Sequence, residues 1–371
     1  MLGKQIYNFD EFSIPLWVQT LFWGLYLVVF VYAVWKCFLV VPKGKRYSDI
    51  GKLFILYFVI YTVFYCIGSD YFKYREWINV TTIRFWPKEN IYIYTVLFCR
   101  SLPFDYPFEV FRLIVWGAAV FIAYYTYRMY RELLLPGLTL LLLFVFYAGI
   151  FSYGRVSLAM AVYFLGIALY LNYKGIFLRS LGIIVAILSF FFHHEMLVGI
   201  ALLPCLFVPF ERKKMFYLFV LGLIVAIIAL SYLSSYMQYL DFIFDNDDLS
   251  TKVEQFSEQG ERTFRLSTLI KYLNFFYPFC LITKYFWKKK IPHSFIGMYR
   301  VTYGLLITSV AFMIVLGLRS VFSYRVLYIS MIPLTLLIAF GYRHRCFTQR
   351  QFLIMMILAL LSNSIRFINA Q

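Results

Sequence analysis

The sequence predicts an all-α integral membrane protein with about twelve transmembrane helices, and three observations carry that prediction. First, 63% of the 371 residues are hydrophobic and only 14% are charged, against about 25% charged in soluble domains. Second, apolar runs longer than about 18 residues recur along the chain, enough to cross the hydrocarbon core of a bilayer. Third, these runs are continuous rather than alternating, which argues against a β-barrel. The same figures exclude a water-soluble enzyme and a disordered chain. The whole chain, 1–371, reads as one membrane domain.

The expected spans follow in order. Residues 14–41 form the first; the run is too long for a signal-peptide core and no small-residue cleavage site follows it. Lys43, Lys45, Arg46 and Lys52 close it. The span 53–69 returns to a long connection, 70–107. Span 108–127 ends on Arg128 and Arg131, 133–152 returns, and 155–172 ends on Lys174 and Arg179. Span 178–193 is followed by 195–210, which ends on Arg212, Lys213 and Lys214. Span 215–234 opens the second long connection, 235–263. Span 264–284 leads to Lys284, Lys288, Lys289 and Lys290; 295–318 returns; 321–341 ends on Arg343, Arg345 and Arg350; 350–367 is the last.

The basic clusters therefore fall on alternate connections, which makes those connections cytoplasmic. Both long connections, and the junctions at Arg155, His193 and Arg319, are then on the outer face. The formal net charge is +17. Sorted by side, the cytoplasmic face holds 20 Lys and Arg against three acids, and the outer face holds 15 of each. The excess reports orientation, while the outer face carries charge that insertion does not require. The six cysteines, 37, 66, 99, 205, 280 and 346, have no metal-ligand spacing and read as packing residues.

On the outer face, Arg155 opens an apolar span in Tyr153-Gly154-Arg155-Val156-Ser157, and Arg319 and Arg325 flank the start of another. Arg84 and Arg100 lie in or beside the first long connection. An intramembrane arginine is expensive unless it faces a cavity or a partner, and guanidinium binds phosphate bidentately. The cluster points to a lipid phosphate or diphosphate, with snorkelling to headgroups as the alternative. His193-His194-Glu195 ends a span at the same face. Consecutive helical residues point about 100° apart, so at most one histidine faces a given cavity. A neutral imidazole suits removal of a hydroxyl proton, and a helical histidine pair sharing a metal would sit at i, i+4. Asp70-Tyr71-Phe72-Lys73-Tyr74 and Glu89 place carboxylates among aromatic rings, an arrangement that suits sugars. Asp245-Asn246-Asp247 is formally D-x-D, but lies in an acid-rich outer loop away from nucleotide sugars.

These segments resemble the EpsG-like branch of bacterial repeat-unit polymerases, the Wzy-type O-antigen and capsule polymerases. The resemblance runs in order along nearly the whole chain. Asp70-Tyr71-x-x-Tyr74 is similar to the family's D-Y-x-x-Y, Glu89 to its loop glutamate, and Arg155 to the arginine of R-Q-x-x-A. The stretch Ala186–Leu197 is similar to A-x-x-x-F-H-x-S, and Arg325-Val326-Leu327-Tyr328 to R-x-x-Y. Two positions depart: Val156 stands for the Gln after the arginine, and Glu195 or Met196 for the Ser after the histidine.

The resemblance implies a GT-C-like glycosyltransferase in the bacterial inner membrane with its site at the periplasmic face. Donor and acceptor would be undecaprenyl-diphosphate-linked oligosaccharides. Membrane lipid surrounds the protein, a chain-length regulator is a further partner, and no nucleic acid is involved. Arg155, Arg325, Arg319, Arg100 and Arg84 would hold the diphosphate. His193 or His194 would be the base, Asp70 or Glu89 would orient the acceptor hydroxyl or replace the base, and Tyr71, Tyr74 and Tyr328 would contact sugar. A diphosphate leaves without protonation, so neither metal nor cofactor is expected. Inversion and retention both remain open. The alternatives are an O-antigen ligase and a flippase for the same lipid-linked glycan.

Overall fold

The computed structural model describes residues 90–103, 107–130, 154–233, 266–289, 291–316 and 321–369, with scattered positions elsewhere. Two compact units divide the chain, residues 1–67 and 68–371. In the first, Tyr32 packs edge-on against Trp35, ring centroids 6.4 Å apart.

The second unit is all-helical among the described residues. Its helices are α1 (Asn90–Ser101), α2 (Pro107–Arg128), α3 (Gly154–Asn172), α4 (Ile176–Phe192), α5 (Met196–Ala201), α6 (Lys213–Leu233), α7 (Leu266–Phe286), α8 (His293–Leu316), α9 (Val321–Ile329), α10 (Met331–Arg343) and α11 (Gln349–Asn369). A 3-10 turn, Leu203–Phe207, follows α5. Among the described residues, three stretches are long and apolar enough to cross a membrane: Val110–Arg128, Arg155–Asn172 and His293–Ile314. The pair Ser323–Ile329 and Met331–Arg343, bent by 47°, makes a fourth if it is one span.

Helices α2, α3, α4, α6, α7, α8 and α11 coincide closely with expected spans. Three expectations change. The first long connection is not loop throughout, because α1 lies within it. Residues 195–210 do not form one span. α5 ends at Ala201, and Pro204 in the first turn of the 3-10 segment supplies no N–H to continue an α-helical ladder. Residues 321–341 bend at Ser330, just before Pro333 in the first turn of α10. The expected spans 14–41, 53–69 and 133–152 lie outside the described residues apart from scattered positions.

Burial sorts the helices into centre and periphery. Every residue of α10 from Met331 to Gly341 is buried, so this helix is apolar all round because protein surrounds it. α4 is the opposite case. It buries only Gly182, Ala186 and Ser189, while Ile184, Ile187, Leu188 and Phe191 are exposed on its other faces. That is the pattern of a helix with one seam on protein and the rest on lipid. The seam is a small-residue G-x-x-x-A stripe, which lets two backbones approach closely. A Cβ at Gly182 would lie 2.6 Å from the Gly166 carbonyl oxygen, and one at Gly166 would lie 2.4 Å from the Ala186 nitrogen. α3 and α4 are joined by only three residues, Tyr173 to Gly175, and run antiparallel.

Aromatic rings and one ion pair join α6 and the connection before it to α8. Tyr303 packs on Phe210, Phe216 and Phe219 with centroids 4.6–5.5 Å apart, and its hydroxyl donates to the Phe216 carbonyl at 2.9 Å. Arg300 grips Glu211 with both arms of its guanidinium, at 2.9 and 2.7 Å, and donates to the Leu206 carbonyl at 2.7 Å. One side chain thereby closes the end of the 3-10 turn and fixes it to α8.

Candidate active site

Three groups from two distant parts of the sequence meet at the end of α4. His193 caps that helix in an extended conformation, φ −164 and ψ 125, and its N–H donates to the Ser189 carbonyl at 3.2 Å. Its own carbonyl accepts the Met196 N–H at 3.0 Å, which starts α5. Its Nδ1 accepts the Glu195 backbone N–H at 3.2 Å. His193 therefore also performs the work of an N-cap: extended backbone, and a side-chain acceptor on an otherwise orphaned amide two residues on. With Nδ1 accepting, the neutral imidazole carries its proton on Nε2.

The Glu195 carboxylate binds Arg325, whose Nη1 donates to Oε1. The other oxygen, Oε2, lies 3.9 Å from His193 Nδ1. Both His193 and Glu195 are largely buried, and Arg325 is half-buried. One carboxylate thus faces a guanidinium with one oxygen and an imidazole with the other.

Arg325 is held on α9 by hydroxyl contacts at the two residues that precede it. Tyr272 of α7 donates to Ser323 Oγ at 3.1 Å, and Ser309 of α8 donates to the Ser323 carbonyl at 2.9 Å. Tyr324 donates to Thr268 Oγ1 at 2.9 Å, and Lys271 Nζ lies 5.2 Å from the Tyr324 ring centroid. The first turn of α9 is therefore tied to α7 and α8, which leaves its guanidinium directed at α5 by a fixed scaffold.

Arg155 sits in the first turn of α3. Its carbonyl accepts the Tyr92 hydroxyl at 3.3 Å, and its guanidinium carbon lies 5.7 Å from the Tyr92 ring centroid. Cation–π contact of this kind contributes about 0.5–2 kcal/mol depending on desolvation. The contact fastens α1 to the start of α3. Register along the α3–α4 hairpin then locates Arg155. Gly166 meets Gly182 and Ala186, so Arg155, eleven residues back along α3, lies past the level at which α4 ends at Phe192. The arginine and the His193–Glu195–Arg325 cluster therefore lie at one end of the hairpin.

The remaining candidates divide. His194 is exposed, its ring against Phe190 at 4.9 Å, so the two histidines are separated and it is His193 that joins the arginine cluster. Tyr328 is buried against Phe275, centroids 5.8 Å apart; in this arrangement its ring offers no face to a sugar. Arg100 closes α1, eight residues and about 12 Å of helix beyond Tyr92. Asp70, Tyr71, Tyr74, Arg84, Glu89 and Arg319 lie outside the described residues.

Two residues were missed by sequence reasoning. Glu195 counted only as a departure from H-x-S, yet an acid beside two histidines in an apolar stretch was a signal. Arg112 is 3% exposed within α2, its guanidinium carbon 5.7 Å from the Phe108 ring centroid and 5.5 Å from that of Trp116. An arginine in a membrane-length apolar helix was a signal of the same kind.

Comparison with known proteins gives one family. The model of the EpsG family matches residues 50–370. No curated protein and no solved structure matches significantly.

Proposed function

The chain belongs to the EpsG family, and from that premise we propose that it is a membrane glycosyltransferase acting as a repeat-unit polymerase. On this reading it polymerises undecaprenyl-diphosphate-linked oligosaccharides into O-antigen, capsule or exopolysaccharide. It sits in the bacterial inner membrane as about twelve spans of GT-C-like architecture, with the site at the periplasmic face. A chain-length regulator is a further partner.

The observation that carries the reading is the meeting of Arg325, Glu195 and His193 at a helix break in an apolar bundle. A diphosphate-linked sugar needs cationic stabilisation as negative charge develops on the departing diphosphate. Arg325 and Arg155 supply it, joined by Arg319, Arg100 and Arg84. The acceptor hydroxyl needs a base, and His193 is the histidine beside the arginine. Asp70 or Glu89 orients that hydroxyl, and Tyr71 and Tyr74 contact sugar. With diphosphate as leaving group, charge is neutralised by side chains and no metal is called on.

The test is chain elongation by the purified protein in nanodiscs, given a synthetic lipid-linked repeat unit. The wild type yields a ladder of polymer bands. Arg325→Ala and Arg155→Ala lower the rate by about 100- to 1,000-fold, the usual consequence of removing one stabiliser of a developing anion, while the proteins still insert. Wild-type ladders in both variants would remove the diphosphate site. Transfer to lipid A-core with no ladder would make the protein a ligase instead.

A further inference from the structure

We infer that Glu195 couples occupancy of the diphosphate site to the proton-accepting state of His193. The inference rests on the reading that the donor is a diphosphate-linked glycan. In the structure Glu195 Oε1 holds Arg325, and Oε2 stands 3.9 Å from His193 Nδ1, about 0.7 Å beyond hydrogen-bond range. Nδ1 meanwhile accepts the Glu195 amide. His193 in this state has a proton on Nε2 and no free lone pair, so it does not take a proton from a hydroxyl.

An arriving diphosphate changes the balance. It offers more charge and more acceptor oxygens than a carboxylate and competes directly for the guanidinium. Once Arg325 has turned to it, the Glu195 carboxylate has lost this cation in a largely buried place, a loss that a further donor offsets. His193 Nδ1 is across the gap. The imidazole shifts its proton from Nε2 to Nδ1 through solvent, with no net change in protons, and Nδ1–H turns from the amide to Oε2. Nε2 now has its lone pair.

The transfer step then balances. The acceptor hydroxyl gives its proton to Nε2 and its oxygen bonds to C1 of the donor sugar. The C1–O bond to diphosphate breaks, and its electron pair leaves on the diphosphate beside Arg325. The imidazolium, held by Glu195, returns its extra proton to solvent. Glu195 is a positioning residue in this scheme. It holds Arg325 when the site is empty and orients the base when it is full, so the base forms only when donor is present.

The experiment uses the full chain in nanodiscs with two readouts: affinity for undecaprenyl diphosphate, and KM and kcat for elongation of the lipid-linked repeat unit. Glu195→Gln removes the competitor for Arg325 and the orienting charge. We expect affinity for undecaprenyl diphosphate to rise about 10-fold, KM to fall, and kcat to fall about 100-fold. Glu195→Asp keeps the charge on a shorter arm and recovers part of kcat. Should Glu195→Gln not fold, Glu195→Asp alone is expected to bind tighter than wild type with lower kcat. A merely structural glutamate would lose both constants together and would never tighten binding. Unchanged or weaker undecaprenyl diphosphate binding in the variant that folds overturns the inference, as does wild-type kcat. If Glu195→Gln binds tighter but no protein elongates chains, the coupling stands and the polymerase reading falls. If chains elongate and neither variant moves either constant, the coupling falls alone.

Discussion

Gly182→Ala is the smallest change that tests whether the α3–α4 crossing sets the active site. The added methyl would sit 2.6 Å from the Gly166 oxygen and 2.7 Å from the Tyr170 nitrogen, against the 3.4 Å at which ordinary contact begins. Both obstacles are backbone, so no rotamer relieves them, and the helices must part by about 0.8 Å at that point. Overpacking of this kind costs about 1–3 kcal/mol. α4 has little else to hold it, since only Gly182, Ala186 and Ser189 are buried along it. Its C-terminal end carries His193, so the displacement reaches the site, where a misplacement of about 1 Å can lower turnover up to 100-fold. The assay pairs thermal unfolding in detergent with the polymer ladder. We expect a lower midpoint together with shorter or fewer chains. The control is Gly117→Ala in α2, where a Cβ meets nothing within 4 Å; helix propensity there predicts a gain of about 0.5–1 kcal/mol. Wild-type stability and chain length in Gly182→Ala would refute both the close crossing and its link to the site.

Two further outcomes concern other helices of the bundle. Arg300→Ala strands Glu211 and the Leu206 carbonyl together. With both side chains still partly exposed, the loss should be about 2–3 kcal/mol, somewhat below that of a fully buried pair, read as a lower unfolding midpoint; an unchanged midpoint would show the pair to be incidental. Arg345 has φ 54 after α10, in a Schellman closure where its N–H donates to Tyr342 and the Cys346 N–H to Gly341. Arg345→Gly removes the left-handed penalty and should stabilise by about 1 kcal/mol; destabilisation would mean the side chain contributes more than its backbone costs.

What the sequence made legible follows from where its signals are local. α2, α3 and α4 were readable because each is a continuous apolar run with Lys or Arg near one end. α1 was not, because twelve residues are too few for a span and its neighbours are charged. The break after α5 and the bend before α10 were present as Pro204 and Pro333, but apolar composition runs straight across both. Within the site, Arg325 and His193 stood out individually as polar groups at membrane-span ends. Their junction through Glu195 did not, since it joins residues 130 positions apart and no periodicity reports such a contact. The choice between His193 and His194 was equally closed to spacing. It depends on an extended cap residue whose ring turns back onto its own following amide.

That cap gives His193 two roles, and they are separable. Inside an apolar bundle every amide freed by a helix break needs a partner. At Ser330 the break is managed by residues with no evident chemistry: Ser330 Oγ donates to the Leu327 carbonyl at 2.6 Å, and the Tyr127 hydroxyl to that of Ile332 at 3.0 Å. At residue 193 the acceptor that satisfies the break is the imidazole itself. His193→Ala therefore removes a cap as well as a base, at about 1 kcal/mol for the cap, and lost activity in it alone is ambiguous. His193→Asn resolves this. Asn Oδ1 falls where Nδ1 sits, and Asn is among the best N-cap residues, but it has no basic nitrogen. We expect His193→Asn to unfold at the wild-type temperature and to elongate chains at least 100-fold more slowly. His193→Ala should be both less stable and inactive. An active His193→Asn would confine this histidine to capping and leave the base to be found among the carboxylates of the long connections.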